Sequence, residues 1–206
     1  MWTLALETAS AQGSWALLRD AEVVTRAGLA PREHAATLIP VLDSGLKAQG
    51  IGLDAVGLLA VADGPGSFTG VRIGLTTVKA LMEARKIPAV AVSTLAAVAA
   101  QSEADPVLAA LDAGRGEVYW GEYPGGEEGV EAAAAFAARL SAWQGAAVTP
   151  DATLIAAHPR LGAVAPCLAP WIGKLAWAQF QAGGLLPASE AALRLDARYY
   201  GTRWTV

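Results

Sequence analysis

Eight residues constrain the fold more than any other stretch: Asp63-Gly64-Pro65-Gly66-Ser67-Phe68-Thr69-Gly70. Three glycines and a proline are too many for the interior of a helix or strand. Glycine loses the most backbone freedom on ordering, and proline has no N–H to donate. The stretch is therefore a shaped loop. The apolar run Val56 to Ala62 leads into it, and a helical pattern opening with Val71-Arg72-Ile73-Gly74 leads out. An uninterrupted apolar run predicts a strand covered on both faces, hence a central one. Ser67 or Thr69 is placed to cap the helix, with a hydroxyl accepting from a first-turn N–H that has no partner within the helix. Such a loop can hold a phosphate, hold a partner, or only turn the chain.

Spacing excludes the two standard phosphate loops. The form G-x-x-x-x-G-K-[ST] needs a lysine after its last glycine; here Val71 follows Gly70 and the next lysine is Lys79. The form G-x-G-x-x-G also fails, because Gly64 to Gly70 carries one residue too many and includes Pro65. The N–H groups that open a helix can still attract an anion.

Upstream of the loop, Leu4–Glu7, Ser14–Arg19 and Glu22–Leu29 read as three strands in an antiparallel meander. Leu38, Val41, Leu42 and Leu46 recur at helical spacing, and Gly50 and Gly52 end that element. Pro40 fits a first turn; further inside it kinks the helix. The helix after the loop, about 70–85, has an apolar stripe of Val71, Leu75, Val78 and Met82 beside a small-residue stripe of Gly70, Gly74 and Thr77. A glycine-lined face admits close approach, either by the chain's own sheet or by an outside helix.

Downstream, Ala89–Val92 reads as a strand and Thr94–Ala100 as a short helix capped by Ser93. The polar run Gln101–Asp105 reads as a domain boundary. Val107–Leu111 and Glu117–Tyr123 pair around Asp112-Ala113-Gly114-Arg115-Gly116. Pro124–Gly129 reads as a loop, followed by an alanine-rich helix to about Leu140 and a strand at Thr153–Ala157. Pro170 opens a helix carrying Trp171, Leu175 and Ala178, closed by Gly183-Gly184. The tail 188–206 reads as a short helix and then Arg198-Tyr199-Tyr200. Both halves begin with hairpin strands and continue with helices. The expected class is α/β, with two mixed-sheet lobes over 1–103 and 104–206, the second smaller and its tail able to pack back on the first.

Chemistry is sparse. There are two histidines, and His34 has Leu38 rather than histidine four residues on; His158 precedes Pro159 in a turn. Cys167, between Pro166 and Leu168, reads as a buried inert thiol, and Ser67 lacks the G-x-S-x-G frame. Glu7 and Asp112 each end a strand; they form an acid pair across one cleft or cap their own turns, and turn preference favours capping. Trp171 and Trp177 read as core rather than as a base-stacking platform. A net charge of −4 and a pI of about 5.2 argue against a free-standing nucleic-acid binder. With 54% hydrophobic residues the chain can build a sizeable core. One cysteine rules out an internal disulfide, the first residues lack a basic signal region, and no apolar run reaches the ~20 residues of a bilayer span. A cytoplasmic protein is expected.

Several blocks resemble one known family. They are Leu4-Ala5-Leu6-Glu7-Thr8-Ala9, the stretch from Arg32-Glu33-His34-Ala35 to Leu38-Ile39-Pro40, and Gly64 to Leu75, which is nearly a full match to the family's signature. Ser93-Thr94-Leu95 and Asp112 to Tyr119 match two more, so that most of 1–123 is covered; beyond it only Arg198-Tyr199 is similar. The family is TsaB, also called YeaZ. The resemblance implies a two-lobed actin/Hsp70-like (ASKHA) fold with duplicated ribonuclease-H-like lobes. It implies a non-catalytic partner of TsaD, with TsaE and TsaC completing the pathway that places threonylcarbamoyl on N6 of adenosine 37 in tRNA. It implies docking on TsaD by the helices at about 35–49 and 70–85, through Leu38, Val41, Leu42, Gly45, Gly70, Val71, Gly74, Leu75 and Val78. Without TsaD the same face forms a homodimer, and tRNA is met only indirectly. ATP and metal belong to the partner subunits; Glu7, Thr8 and Asp112 are the only weak candidates for a cofactor here.

Two departures matter. The family has Asp where Glu7 stands and Ser where Ala35 stands. The longer acid argues against a metal–nucleotide site, and Ala35 removes a capping hydroxyl. The alternative reading is an ASKHA-type ATPase or sugar kinase that uses Glu7 and Asp112 with Mg-ATP. A peptidase, a third reading, has neither a zinc motif nor a serine framework behind it.

Overall fold

The computed structural model describes residues 1–29 and 34–183, without the side chains of 34–36. They divide into two units, one of the described residues up to Thr94 together with 167–183, the other Leu95–Pro166.

The first unit is built on β1 (Trp2–Glu7), β2 (Ser14–Arg19), β3 (Glu22–Gly28), β4 (Val56–Ala62) and β5 (Ala89–Val92). Their order in the sheet is β3-β2-β1-β4-β5. The first three form the expected antiparallel meander, and β4 and β5 run parallel to β1. Helix α1 (His34–Ala48) joins β3 to β4 and α2 (Phe68–Arg85) joins β4 to β5. Strand alternation decides which face each helix covers. Leu6 stands opposite Trp15 and Val61. A Cβ on Gly45 of α1 would clash with Trp15, and one on Gly74 of α2 would lie 3.3 Å from Val61 Cγ2, so both helices lie on that face. Ala5 and Leu18 belong to the opposite face, and there a Cβ on Gly173 of α6 (Ala169–Gln181) would strike Leu18. The Ala169 N–H donates to Ser14 Oγ on that face at 3.1 Å. Cover on both sides explains the unbroken apolar run of β4.

After the short helix α3 (Thr94–Ala99), the second unit repeats the plan with β6 (Val107–Gly114), β7 (Glu117–Tyr123), β8 (Glu127–Ala132), β9 (Ala146–Thr149) and β10 (Gly162–Ala163). The order is β10-β9-β6-β7-β8. Counted from its own first strand, each sheet therefore reads 3-2-1-4-5, with strands 1 to 3 antiparallel and 4 and 5 parallel to strand 1. Helix α4 (Ala133–Ala142) joins the third and fourth strands and α5 (Ala152–Ala157) joins the fourth and fifth. Phe136 and Leu140 of α4 pack with Leu108, Val118, Trp120 and Leu154 to make this unit's core.

Several expectations are corrected. Residues 153–157 are helical, not a strand; a short apolar run satisfies either period. Only 124–126 of the expected loop are a turn, because Glu127–Ala132 pairs with β7 as an edge strand despite its glutamates. Pro40 lies in the second turn of α1 rather than the first. The units divide after Thr94, not at 103, and the chain rejoins the first unit at Cys167. Gln101 explains part of this. Its side-chain amide donates to Ala165 O and accepts from Ala165 N–H, both at 3.0 Å, which holds the polar run in the second unit. Trp171 and Trp177 are half-buried rather than core, as is Cys167. The expected tail helix and Arg198-Tyr199-Tyr200 lie outside the described residues.

Candidate partner interface

The glycine loop places α2. Asp63 N–H donates to Val92 O at 3.1 Å and Thr94 N–H to Gly64 O at 2.7 Å, which ties the loop to the end of β5. Gly64 takes φ 103°, a left-handed conformation that L side chains rarely adopt. A Cβ on Gly66 would lie 2.5 Å from Ala9 O, and Ser67 N–H donates to that same carbonyl at 2.7 Å. Of the two hydroxyls named as caps, Ser67 is the one used, accepting from Gly70 N–H at 3.3 Å.

The glycine face of α2 turns inward. A Cβ on Gly70 would clash with Thr8 O, and one on Gly74 would lie 2.5 Å from Thr8 Oγ1. Val71, Leu75, Val78 and Met82 are buried with them, as are Leu38, Leu42 and Leu46 of α1. Gly45 sits on Trp15. Of the nine residues expected at an interface, Val41 and Gly45 are half-buried and the other seven are buried by the chain itself. An outside partner would instead meet the outer faces. On α1 these carry Ile39, Pro40, Asp43 and Ser44. On α2 they carry Phe68, Thr69, Arg72, Thr76 and Ala80, with Ile73, Thr77 and Leu81 half-buried beside them. Ile39 is 52% exposed and Phe68 48%. The Arg72 guanidinium stands 5.2 Å from the Phe68 ring centroid. Ile39 could have been found as the apolar residue out of phase with Leu38, Leu42 and Leu46. Phe68 was hidden inside the loop reading.

The acids behave as turn caps. Glu7 has no exposed surface, and its carboxylate accepts from Ser10 N–H and Ser10 Oγ–H, both at 2.7 Å. Burial pushes its carboxyl above the ordinary value, and the Ser10 hydrogen bonds partly offset this. Asp112 is exposed in the second unit, and its Oδ1 accepts from Gly114 N–H at 2.7 Å. Its own N–H donates to Asp151 Oδ2 at 2.7 Å; Asp151 is raised chiefly by burial. Thr8 Oγ1–H donates to Gly70 O at 2.7 Å. His158 meets Phe136 edge-on at 5.5 Å. Among the described residues no three His, Cys, Asp or Glu gather as a metal site, and no helix is long and apolar enough to cross a membrane.

One cluster had no signal in the sequence. Arg139 of α4 lies 3.5 Å from the Trp120 ring centroid and pairs with Glu122 at 2.6 Å and Glu131 at 2.9 Å. It clasps α4 to β7 and β8, and the hydrogen bond it donates to the Glu131 carboxylate is the main cause of its raised pKa.

Residues 22–150 match the family profile described as TsaD, tRNA N6-adenosine threonylcarbamoyltransferase. The chain belongs to that family. It is 41% identical over 134 residues to the tRNA threonylcarbamoyladenosine biosynthesis protein TsaB of Escherichia coli, covering 63% of this chain and 58% of that one. An uncharacterised protein of Mycobacterium tuberculosis is 30% identical over 180 residues, 85% of each chain. A solved structure, YeaZ from Pseudomonas aeruginosa, superposes with a TM-score of 0.74 at 29% identity over 93% of this chain and 98% of that one. These similarities put the chain among the TsaB (YeaZ) members of the TsaD family, with their two-lobed ASKHA fold. The chain spans between 52% and 59% of the length of the curated TsaB relatives it matches.

Proposed function

We propose that the chain is a non-catalytic subunit of the machinery that makes threonylcarbamoyladenosine in tRNA, and that it acts by docking the catalytic subunit TsaD through the outer faces of α1 and α2. One observation carries the docking surface. Of the four large hydrophobic side chains exposed among the described residues, two, Ile39 and Phe68, stand on these two helices. Small exposed residues along α2, namely Thr69, Thr76 and Ala80, leave room for a partner helix to approach. The relatives' names support the pathway. The non-catalytic role is supported by Glu7 and Thr8, which are buried and used inside the fold. TsaE joins through the complex, a homodimer uses the same helices when TsaD is absent, and tRNA is met through TsaD, in keeping with the net charge of −4. ATP and metal act in the partner subunits, and the complex works in the cytoplasm.

The test is co-purification with TsaD of the same organism, comparing wild type with Ile39→Asp and Phe68→Asp. Each variant should keep its circular dichroism and bind TsaD at least about tenfold more weakly, the scale of one interface anchor. Wild-type binding by both variants would overturn the proposed face.

A further inference from the structure

Gly70 and Gly74, one helical turn apart, leave a notch in α2, and Thr8 fills it. Thr8 is 1% exposed, and its hydroxyl donates to Gly70 O at 2.7 Å. Within an α-helix that carbonyl already accepts from the N–H four residues on, so the hydroxyl occupies its second lone pair. The bond is not needed to satisfy the helix backbone. What it fixes is where the helix sits. Next along the chain, Ala9 O accepts from Ser67 N–H at 2.7 Å, and Gly66 closes on the same carbonyl. Residues 8 and 9 thus hold the start of α2 by side chain and by backbone.

We propose that Thr8 is the positioning residue of α2, setting its depth and pitch on the sheet and through them the presentation of Phe68, Arg72 and Thr76 to a partner. The second half rests on the docking reading above.

Thr8→Val keeps the shape and removes the hydroxyl; Thr8→Ser keeps the hydroxyl. Hydrogen exchange of the amides over 68–75 and affinity for TsaD are read on both full-length proteins. In Thr8→Val, exchange should speed up about tenfold and binding weaken about tenfold, the size of one lost buried hydrogen bond, while Thr8→Ser stays near wild type. Exchange unchanged in Thr8→Val, or loosened equally in Thr8→Ser, overturns the positioning role. Faster exchange with unchanged affinity overturns the presentation half. If wild type does not bind TsaD, the docking reading fails while the exchange comparison still decides on Thr8. Should Thr8→Val not fold, Thr8→Ala takes its place, judged by the same readings.

Discussion

Glu7 carries a carboxyl with no exposed surface at the end of β1, held by two hydrogen bonds from one serine. Burial is the larger influence, and it raises the folded pKa above the unfolded one. The folded state therefore binds the proton more tightly than the unfolded chain does. That contribution to stability is complete below the ordinary carboxylate value and is lost as pH rises through the folded pKa. Glu7→Gln should flatten this decline, so that the variant gains stability relative to wild type at neutral pH. Urea unfolding from about pH 4 to pH 8, a range bracketing the carboxylate values, measures it. Asp151, also raised chiefly by burial, leaves a residual slope of the same sign in both proteins. Parallel curves for the two proteins would mean that Glu7 is not the group responsible. Sequence alone offered this acid two roles, and which one it takes depends on Ser10, three residues on and with no pattern to announce it.

At the scale of the element, α2 shows what periodicity can and cannot deliver. Its apolar stripe and its cap were legible, because spacing and capping chemistry are local. Which side its glycines face was not, since that depends on Thr8, 62 residues earlier in the chain. The consequence is testable. Gly74→Leu should destabilise the isolated chain by at least ~2 kcal/mol, because an overpacked contact against Thr8 and Val61 cannot relax without lifting the helix. A calorimetric melt at the wild-type temperature would show that the notch has slack. Strand β8 and helix α5 were misread for opposite reasons. The glutamates of β8 look wrong for a strand but suit an exposed sheet edge, and the apolar residues of α5 look like a strand but are too few to show a period.

The described residues use one plan twice, and the first copy is completed by a helix that the sequence order assigns to the second half. Helix α6 buries Ala169, Pro170, Ile172, Gly173 and Ala176, and with Gly173 it covers Leu18 and Ala5 of the first sheet. A chain cut after Pro166 should therefore lose its cooperative melt and bind a hydrophobic dye, because one face of the first sheet is left bare. A cut after Gly183 keeps α6 and serves as the control. Retained cooperative melting in the shorter protein would show that α6 is dispensable. The two-half reading of the sequence was right about the repeat and wrong about the seams, because strand patterns repeat visibly while the return of a helix to an earlier sheet leaves no local mark.

The two copies are not equal in the arm that joins their fourth and fifth strands. In the first it is α2, of 18 residues; in the second it is α5, of 6. A repeat with two long arms would have a valence of two and could string partners into a line. Among the described residues only the first copy has a long arm, so docking by that arm would draw on one copy of the plan and leave the other out of the contact.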